Sequence, residues 1–304
     1  MPLLSGNVAC TRFNVISMPD ELNFEQEAFH LIQPGSAIKD RIGFVPFELE
    51  ESYELRPKTW AFRVRRDKVT VDSTLLKERV KELIKIENEQ TGPPSFSKKK
   101  ELRQLAEDEL LARTAPRSSI VECLIEHGVV YVGSTAKAST DAVSELLRRI
   151  GVELEYKTPW LELGQEAESS IVEAKDPGQS VLGCHFLKKL LEQSDVLVEP
   201  VKGRAKLITS EGTHVSLAGS VINEMNRYLD EGAELISAKL IVKEATLQFD
   251  GLSYHFSGLK VENAKADHWT ETLETRMDSI RAMWEMLDER YLQAMNTASP
   301  QEDS

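Results

Sequence analysis

Alternation of apolar and polar residues predicts a strand at residues 60–66, where tryptophan, phenylalanine and valine recur at every second position. Side chains alternate between the two faces of a strand, so these three would share one face, with Arg63 and Arg65 on the other. The polar residue Asp67 interrupts the pattern before residues 69–71. We therefore expect a turn at Asp67 and a β-hairpin.

Several further segments show the same alternation or short runs of apolar residues. We expect strands at residues 8–16, 119–125, 129–133, 152–156, 201–207, 238–242, 245–249 and 252–256. Apolar residues spaced three and four apart predict helices at 23–32, 139–150, 181–193 and 222–229. Pro34-Gly35 is expected to end the first of these helices; Thr140-Asp141 would begin the second, and Gly151 would end it.

Two amphipathic segments lie on either side of a stretch that cannot be helical. Helical spacing relates Leu76 to Leu83 in the first and Leu102 to Leu110 in the second, and residues 91–97 between them contain Gly-Pro-Pro. This arrangement predicts an antiparallel helical hairpin inserted between two strand-containing segments, with Lys98–Lys100 at its tip.

Together these elements predict an α+β protein with antiparallel sheets, packed helices and an inserted helical hairpin. Residues 164–180 are polar and contain glycine and serine, so we expect a loop there. The expected units are 1–73 and 118–163 (two α+β half-units), 74–117 (the hairpin), 181–265 (a C-terminal α+β region) and 266–304 (a helix and tail).

The most regular apolar pattern lies near the C-terminus. Between Trp269 and Tyr291 the apolar residues follow one another at spacings of three and four, which predicts a continuous helix with one apolar seam. Such a seam packs either against its own chain or against a second subunit. The pattern is compatible with both.

The composition is that of a globular protein, with 41% hydrophobic and 29% charged residues among 304. No apolar run approaches the ~20 residues of a membrane span, and no secretory signal begins the sequence, so we expect a cytoplasmic protein with no membrane contact. Cys10, Cys123 and Cys184 are too far apart for a metal-binding motif and are expected to be small buried residues.

Charge is distributed unevenly along this acidic chain, whose formal net charge is −13. Residues 56–117 nevertheless hold 16 lysines and arginines against 10 aspartates and glutamates. A local excess of this kind indicates either a solvated helical face or a surface that binds a polyanion.

Basic residues recur on the predicted hairpin and on two predicted strand faces, where they could neutralise phosphates without reading bases. The candidate DNA-binding residues are Arg63, Arg65, Lys98, Lys99, Lys100, Arg103, Arg113, Arg117, Lys202, Arg204 and Lys206. No recognition helix carrying residues suited to base edges is evident, so we expect binding without sequence preference.

Motifs for catalysis are mostly absent, and we assign no catalytic residue, metal ligand or cofactor. One alternative is a magnesium-dependent exonuclease, because Glu155 and Lys157 fit the E-x-K pattern of many nucleases and Asp141 could supply an upstream carboxylate. The pattern is short and recurs at Glu173-Ala-Lys175. A second alternative is a scaffold that binds other proteins through the seam between Trp269 and Tyr291.

The order of several segments resembles the RdgC family of recombination-associated proteins. The resemblance rests on Gly43-Phe-Val-Pro46, on the helix that follows Lys98–Lys100 and leads to Pro116-Arg117, and on the helix at 136–151 with the valine-rich strand after it. It is closest over residues 40–160 and looser over 181–260.

This resemblance implies a horseshoe-shaped protomer that closes as a homodimeric ring around duplex DNA. It implies binding without sequence preference, association with the nucleoid and restraint of RecA-driven recombination. The family's inserted helical hairpin would correspond to residues 74–113. A ring that is acidic outside and basic along its bore would reconcile the net charge with a polyanionic partner.

Overall fold

Strands and helices are interspersed along the chain. A computed structural model describes residues 3–33, 36, 38–48, 51–167, 170–261 and 267–296. The strands are β1 (Val8–Ser17), β2 (Asp40–Val45), β3 (Glu54–Arg56), β4 (Thr59–Lys68), β5 (Arg117–Glu126), β6 (Val129–Val132), β7 (Glu153–Tyr156), β8 (Val196–Val198), β9 (Gly203–Ile208), β10 (His214–Gly219), β11 (Glu234–Val242), β12 (Ala245–Asp250) and β13 (His255–Leu259). The helices are α1 (Ser73–Thr91), α2 (Phe96–Leu111), α3 (Lys137–Arg149), α4 (Pro159–Glu162), α5 (Val181–Leu191), α6 (Ile222–Asp230) and α7 (Trp269–Asn296). The predicted α+β class is confirmed.

One antiparallel sheet contains the thirteen described strands. Ten of them follow the order β10-β9-β11-β12-β13-β1-β6-β5-β4-β2, and β3, β7 and β8 pair in addition with β4, β1 and β11. Strand β1 is the junction between its two halves. Val8 and Cys10 of β1 pair with β13, whereas the stretch from Thr11 onward pairs with β6 on one edge and with β7 on the other. A single ten-residue strand therefore belongs to both halves of the sheet.

The N-terminal half of the sheet is covered on one face by α3. Phe62 and Val64 of β4 pack there against Val143 and Leu147 of the helix, in the alternation that the sequence predicts. Ala61 of the same strand points to the opposite face and joins a second core. Around Ala61 this half is consequently buried on both sides, whereas the first four residues of β5 are exposed.

The C-terminal half of the sheet forms that second core with α5 and α7. Leu207 of β9, Leu240 of β11 and Phe249 of β12 face Phe186 of α5 and the apolar seam of α7. The other face of these strands carries polar and charged residues. This half is therefore buried on one face only.

The apolar seam of α7 packs against its own chain. Its six most buried side chains are Leu273, Met277, Ile280, Trp284, Leu287 and Tyr291, each no more than 1% exposed. This result decides between the two interpretations left open by the sequence. The hypothesis of a scaffold that binds another protein through this seam is therefore wrong, because the seam is already buried in the core of its own chain.

Buried polar contacts fix α7 in its position beneath β1. Arg12 of β1 makes two hydrogen bonds of 2.8 Å to the Asp288 carboxylate, and its guanidinium lies 3.9 Å from the centre of the Trp284 ring. Arg276 donates to the carbonyls of Leu3 at 2.6 Å and Gly6 at 2.7 Å. A buried charge is tolerated only with such partners, so these contacts specify how the helix docks.

Helices α1 and α2 form the predicted hairpin. Leu83 of α1 packs against Leu102 and Ala106 of α2 in a small apolar cluster of their own. The Asp72 carboxylate accepts hydrogen bonds from the first turn of α1, and the Ser95 hydroxyl does the same for α2. The hairpin leaves the sheet after β4 and returns to it at β5.

Three local predictions are wrong, and the strand expected at 252–256 begins only at His255, because residues 252–254 form a turn. In place of a helix at 23–32, only a 3-10 turn at Phe24–Glu27 forms, because the chain then runs alongside β2, where the Phe29 N–H donates to the Phe44 carbonyl at 2.9 Å. Pro34-Gly35 lies outside the described residues. Strand β4 continues through Asp67 to Lys68 without a turn, and it pairs with β2 and β5 rather than with residues 69–71.

The third error concerns the start of α3, which begins at Lys137 rather than at Thr140-Asp141. Thr140 is buried inside the helix and donates to the Lys137 carbonyl at 2.9 Å, so it does not act as a cap. The predicted end is confirmed: Gly151 follows with φ of 88°, a conformation that glycine adopts readily.

All three cysteines are buried and unpaired, as predicted. Burial raises the pKa of the Cys10 thiol to about 11, so this thiol stays protonated at neutral pH. Because the thiolate is the reactive form, Cys10 has a structural role in packing β1 against α7.

Candidate nucleic-acid interface

A basic groove lies on the open face of the C-terminal half of the sheet. On β9, Ala205 and Leu207 point into the core, which leaves Arg204 and Lys206 on the outer face as predicted. The groove has a volume of about 780 Å³. Its basic lining residues, which define the term basic groove below, are Lys202, Arg204, Lys239 and Lys260.

The backbone brings these four cations together from three separate segments. Lys202 precedes β9, and Arg204 is its second residue. Lys239 is on β11, where the registers of the two strands place it beside Arg204, and Lys260 follows β13. Lys206 is exposed two residues beyond Arg204 on the same face of β9.

One acidic residue, Glu199, also lines the basic groove. Its carboxylate accepts hydrogen bonds from the Val201 and Lys202 N–H groups at 3.2 and 3.4 Å, which lower its pKa, and it lies 3.7 Å from the Lys239 ammonium. Among the described residues, Lys202, Arg204 and Lys260 have no acidic side chain within 4 Å. The groove therefore keeps an excess of positive charge.

Arg63 and Arg65 lie on the other side of the sheet. They point to the same face of β4 as Ala61, which packs into the core that also receives Ala205 and Leu207. Arg204 and Lys206 point away from that core. Within one chain, the two rows of cations consequently do not share a surface.

Arg63 and Arg65, the two candidate residues on β4, are both hydrogen-bonded to neighbouring groups. Arg63 donates to the carbonyls of Pro46 at 2.6 Å and Phe47 at 2.8 Å. Arg65 makes hydrogen bonds of 2.9 and 2.8 Å to the buried Asp67 carboxylate, whose pKa they lower. The pairing of Arg65 with Asp67 explains how the Asp67 carboxylate fits inside β4 where the sequence predicts a turn.

The hairpin presents its cations at two places. Lys98, Lys99, Lys100 and Arg103 lie on the first two turns of α2, close to the tip. Of these, Lys98 pairs with Glu101 at 3.3 Å, and the other three have no acidic side chain within 4 Å in the part of the chain that the structure describes. Three cations of the tip, Lys99, Lys100 and Arg103, therefore have no acidic partner among the residues described.

The base of the hairpin carries the remaining two predicted cations. Arg113 follows α2 and Arg117 begins β5, and both are exposed. Arg113 borders an apolar pocket of about 260 Å³ between the end of α2 and residues 32–39, of which 34, 35 and 37 are not described. The structure thus separates the predicted cations into the basic groove, the hairpin tip, the hairpin base and β4.

Two cations of the basic groove, Lys239 and Lys260, were not among the sequence candidates. Lys239 could have been found, because it occupies an outward position between the buried residues Ala238 and Leu240 of a predicted strand. Lys260 follows the last strand and carries no local signal. Its place in the groove depends on the pairing of β13 with β12.

The residues of the nuclease alternative lie in or beside an acidic groove of about 770 Å³ between β7 and α3. Asp141 and Glu155 both line it, whereas Lys157 forms an ion pair with Glu162. Among the described residues, the one group of three side chains close enough to share a metal ion is Glu48, Glu51 and His268, which does not include them. Glu145 and Glu153 also line this groove, but among the described residues no three of its four carboxylates have oxygen atoms within 4.8 Å of one another.

None of the described helices is both long enough and apolar enough to cross a bilayer.

Comparisons with known proteins support one assignment. No curated protein matches the chain. The family model described as "Putative exonuclease, RdgC" matches residues 7–168, a range that runs from β1 to the end of α4 and includes the helical hairpin. Since this range is more than half of the 304 residues, the chain belongs to the RdgC family.

Proposed function

We propose that this protein binds double-stranded DNA through its phosphate backbone and without sequence preference. The observation that carries the proposal is the basic groove, where four cations from three segments meet on an open sheet face of an otherwise acidic chain. Lysine and arginine neutralise phosphates whatever the base sequence, and the counterions that they release favour binding. Acidic surfaces elsewhere would repel DNA and restrict it to this face.

We further propose that two chains close as a ring around the duplex and restrain RecA-dependent recombination on the nucleoid. Membership of the RdgC family supports this part of the proposal. The protomer would be horseshoe-shaped, with the basic groove and the hairpin cations directed toward the enclosed DNA. Arg63 and Arg65 of β4 would contribute least to DNA binding, because they already form hydrogen bonds within the protein.

The first test replaces two groove cations together. Lys202→Ala/Arg204→Ala should weaken the binding of all duplex sequences alike and lower the slope of log K against log salt by about 1.8, at about 0.9 per phosphate contact. Fluorescence anisotropy with labelled duplexes across a salt series measures both quantities.

The matched control is Arg148→Ala/Arg227→Ala, which removes the same formal charge from exposed helical sites. Both arginines already pair with glutamates on their own helices, at 2.9 and 2.5 Å, and neither lines the basic groove. An equal loss of DNA affinity in the control would show that the groove cations act only through the net charge of the protein. An unchanged slope in the groove variant would remove the groove from the interface.

A separate experiment tests ring closure. If the dimer encircles DNA, dissociation from a closed circle should be much slower than from linear DNA of equal length at the same salt, because a ring slides off an open end. Sedimentation velocity of the free protein should show a dimer. Equal dissociation rates for the two DNA forms would indicate that DNA binds in an open groove and would contradict the proposal that the dimer encircles it.

A second candidate function is exonuclease activity, which the family's description as an exonuclease favours together with the acidic groove beside β7. Glu155 and Asp141 would hold a divalent cation there. Incubation of end-labelled duplex with Mg²⁺ or Mn²⁺ tests it, with Glu155→Gln as the variant and Glu173→Gln, outside that groove, as the control. Degradation that only Glu155→Gln abolishes would favour the enzyme over the binding protein.

A further inference from the structure

The tip of the helical hairpin carries an aromatic ring that is almost fully exposed in the part of the chain that the structure describes. Phe96, the first residue of α2, is 89% exposed. Leu102 and Ala106 of the same helix are buried in the apolar cluster with α1, and Phe96 does not belong to that cluster. The stability of the hairpin therefore does not explain why a phenylalanine stands at this position.

The exposed ring lies in line with the unpaired cations of the tip. Phe96, Lys99, Lys100 and Arg103 are spaced at i, i+3, i+4 and i+7, so they form one stripe along the surface of α2. With a rise of about 1.5 Å per residue, the stripe extends about 10 Å from the ring. None of the three cations has an acidic side chain within 4 Å among the described residues.

An aromatic ring beside unpaired cations is suited to one class of ligand. Bases stack on exposed aromatic side chains, while lysine and arginine bind the adjoining phosphates. In duplex DNA the bases are already stacked and paired, so a ring on a rigid helix end gains little there. An unpaired base has a free face, and its phosphates match the charge of the stripe.

We infer that the hairpin tip is a binding site for single-stranded DNA, in which Phe96 stacks on an unpaired base and Lys99, Lys100 and Arg103 bind the phosphates. This inference rests on the DNA-binding function proposed above and assigns a second DNA form to a second surface. The basic groove would hold duplex, and the tip would hold a strand that has left the duplex. A junction between duplex and single strand would engage both.

The test measures the affinity of the full chain for three probes at one salt concentration: a labelled oligothymidine, a blunt duplex, and a duplex with a single-stranded overhang. Phe96→Ala should weaken oligothymidine binding about tenfold, as expected for one lost stacking contact, and leave blunt-duplex binding within about twofold. Phe96→Trp should restore the lost affinity. The overhang duplex should bind wild type more tightly than the blunt one, and Phe96→Ala should abolish that difference.

The control is Leu105→Ala on the same helix, because Leu105 is also exposed, at 48%, but lies on a different face from the stripe. It should leave all three affinities unchanged. Circular dichroism should show that both alanine variants keep the helical content of the wild type.

Several outcomes would overturn the inference. Equal losses for oligothymidine and blunt duplex would make Phe96 a general contact, and a similar loss for Leu105→Ala would make the effect one of hairpin stability. A change of oligomeric state in Phe96→Ala, seen by sedimentation velocity with unchanged oligothymidine affinity, would assign the ring to a second copy of this chain. If wild type binds none of the probes even at low salt, the proposed function itself fails.

Discussion

Replacement of Trp284 by alanine tests whether the seam of α7 is an internal core. The side chain is 1% exposed, its ring centre lies 4.6 Å from that of Phe256, and the Arg12 guanidinium covers its face at 3.9 Å. Truncation of a buried tryptophan costs about 3–5 kcal/mol, and a desolvated cation–π contact adds about 1–2 kcal/mol. Because the two terms describe overlapping contacts, we expect a loss of about 4–5 kcal/mol in the free energy of unfolding.

Urea unfolding followed by far-UV circular dichroism measures this loss. An internal core predicts the same difference between variant and wild type at about 1 µM and about 50 µM protein, because no subunit contact depends on Trp284. The control is Glu285→Ala, on the exposed face of the same helix, which should change the free energy by less than about 0.5 kcal/mol. A loss below about 1.5 kcal/mol for Trp284→Ala, or a difference that grows on dilution, would refute the internal seam.

Three further predictions concern stability. Glu126→Gln should cost about 3 kcal/mol in urea unfolding, because the buried carboxylate pairs with both Arg56 and Arg281; a loss below about 1 kcal/mol would contradict that role. Gly183→Ala should lower the thermal midpoint markedly, since an added Cβ would overlap the Gly251 carbonyl oxygen, and an unchanged midpoint would show that α5 can move aside. Arg65 lowers the pKa of Asp67, so the stability from the ionised carboxylate is complete above the ordinary aspartate pKa of about 3.9 and is lost as pH falls through the lowered value. Asp67→Asn should accordingly reduce the free energy of unfolding more at about pH 7 than at about pH 3, and equal losses at both would contradict the sign.

The sequence predicted elements well where local patterns determine them. The alternation around Phe62 and the helical spacing around Leu83 and Leu102 correspond to the buried faces of β4 and the hairpin. The turn at Asp67 was wrong because its charge is neutralised within the strand by Arg65, which no propensity reports.

The placement of the candidate interface required the structure. The outward positions of Arg204 and Lys206 follow from alternation, and so do those of Arg63 and Arg65. Whether two such rows share a surface depends on how distant strands are joined through β1, and that information is not local. The exposure of Phe96 is equally invisible in sequence, where it resembles any apolar residue of an amphipathic helix.

The double membership of β1 has a consequence for the order of folding. This strand leaves the ribosome well before its partner β13 and the covering helix α7, which lie far along the chain from it. Val8 pairs with Leu259 across most of the chain length, and Arg12 is neutralised only when Asp288 arrives. Contacts of such long sequence separation slow folding and expose unpaired strand edges meanwhile. Completion of the sheet must therefore wait until β13 has been synthesised, and the family-matched range alone would lack the neighbour that pairs with the start of its first strand.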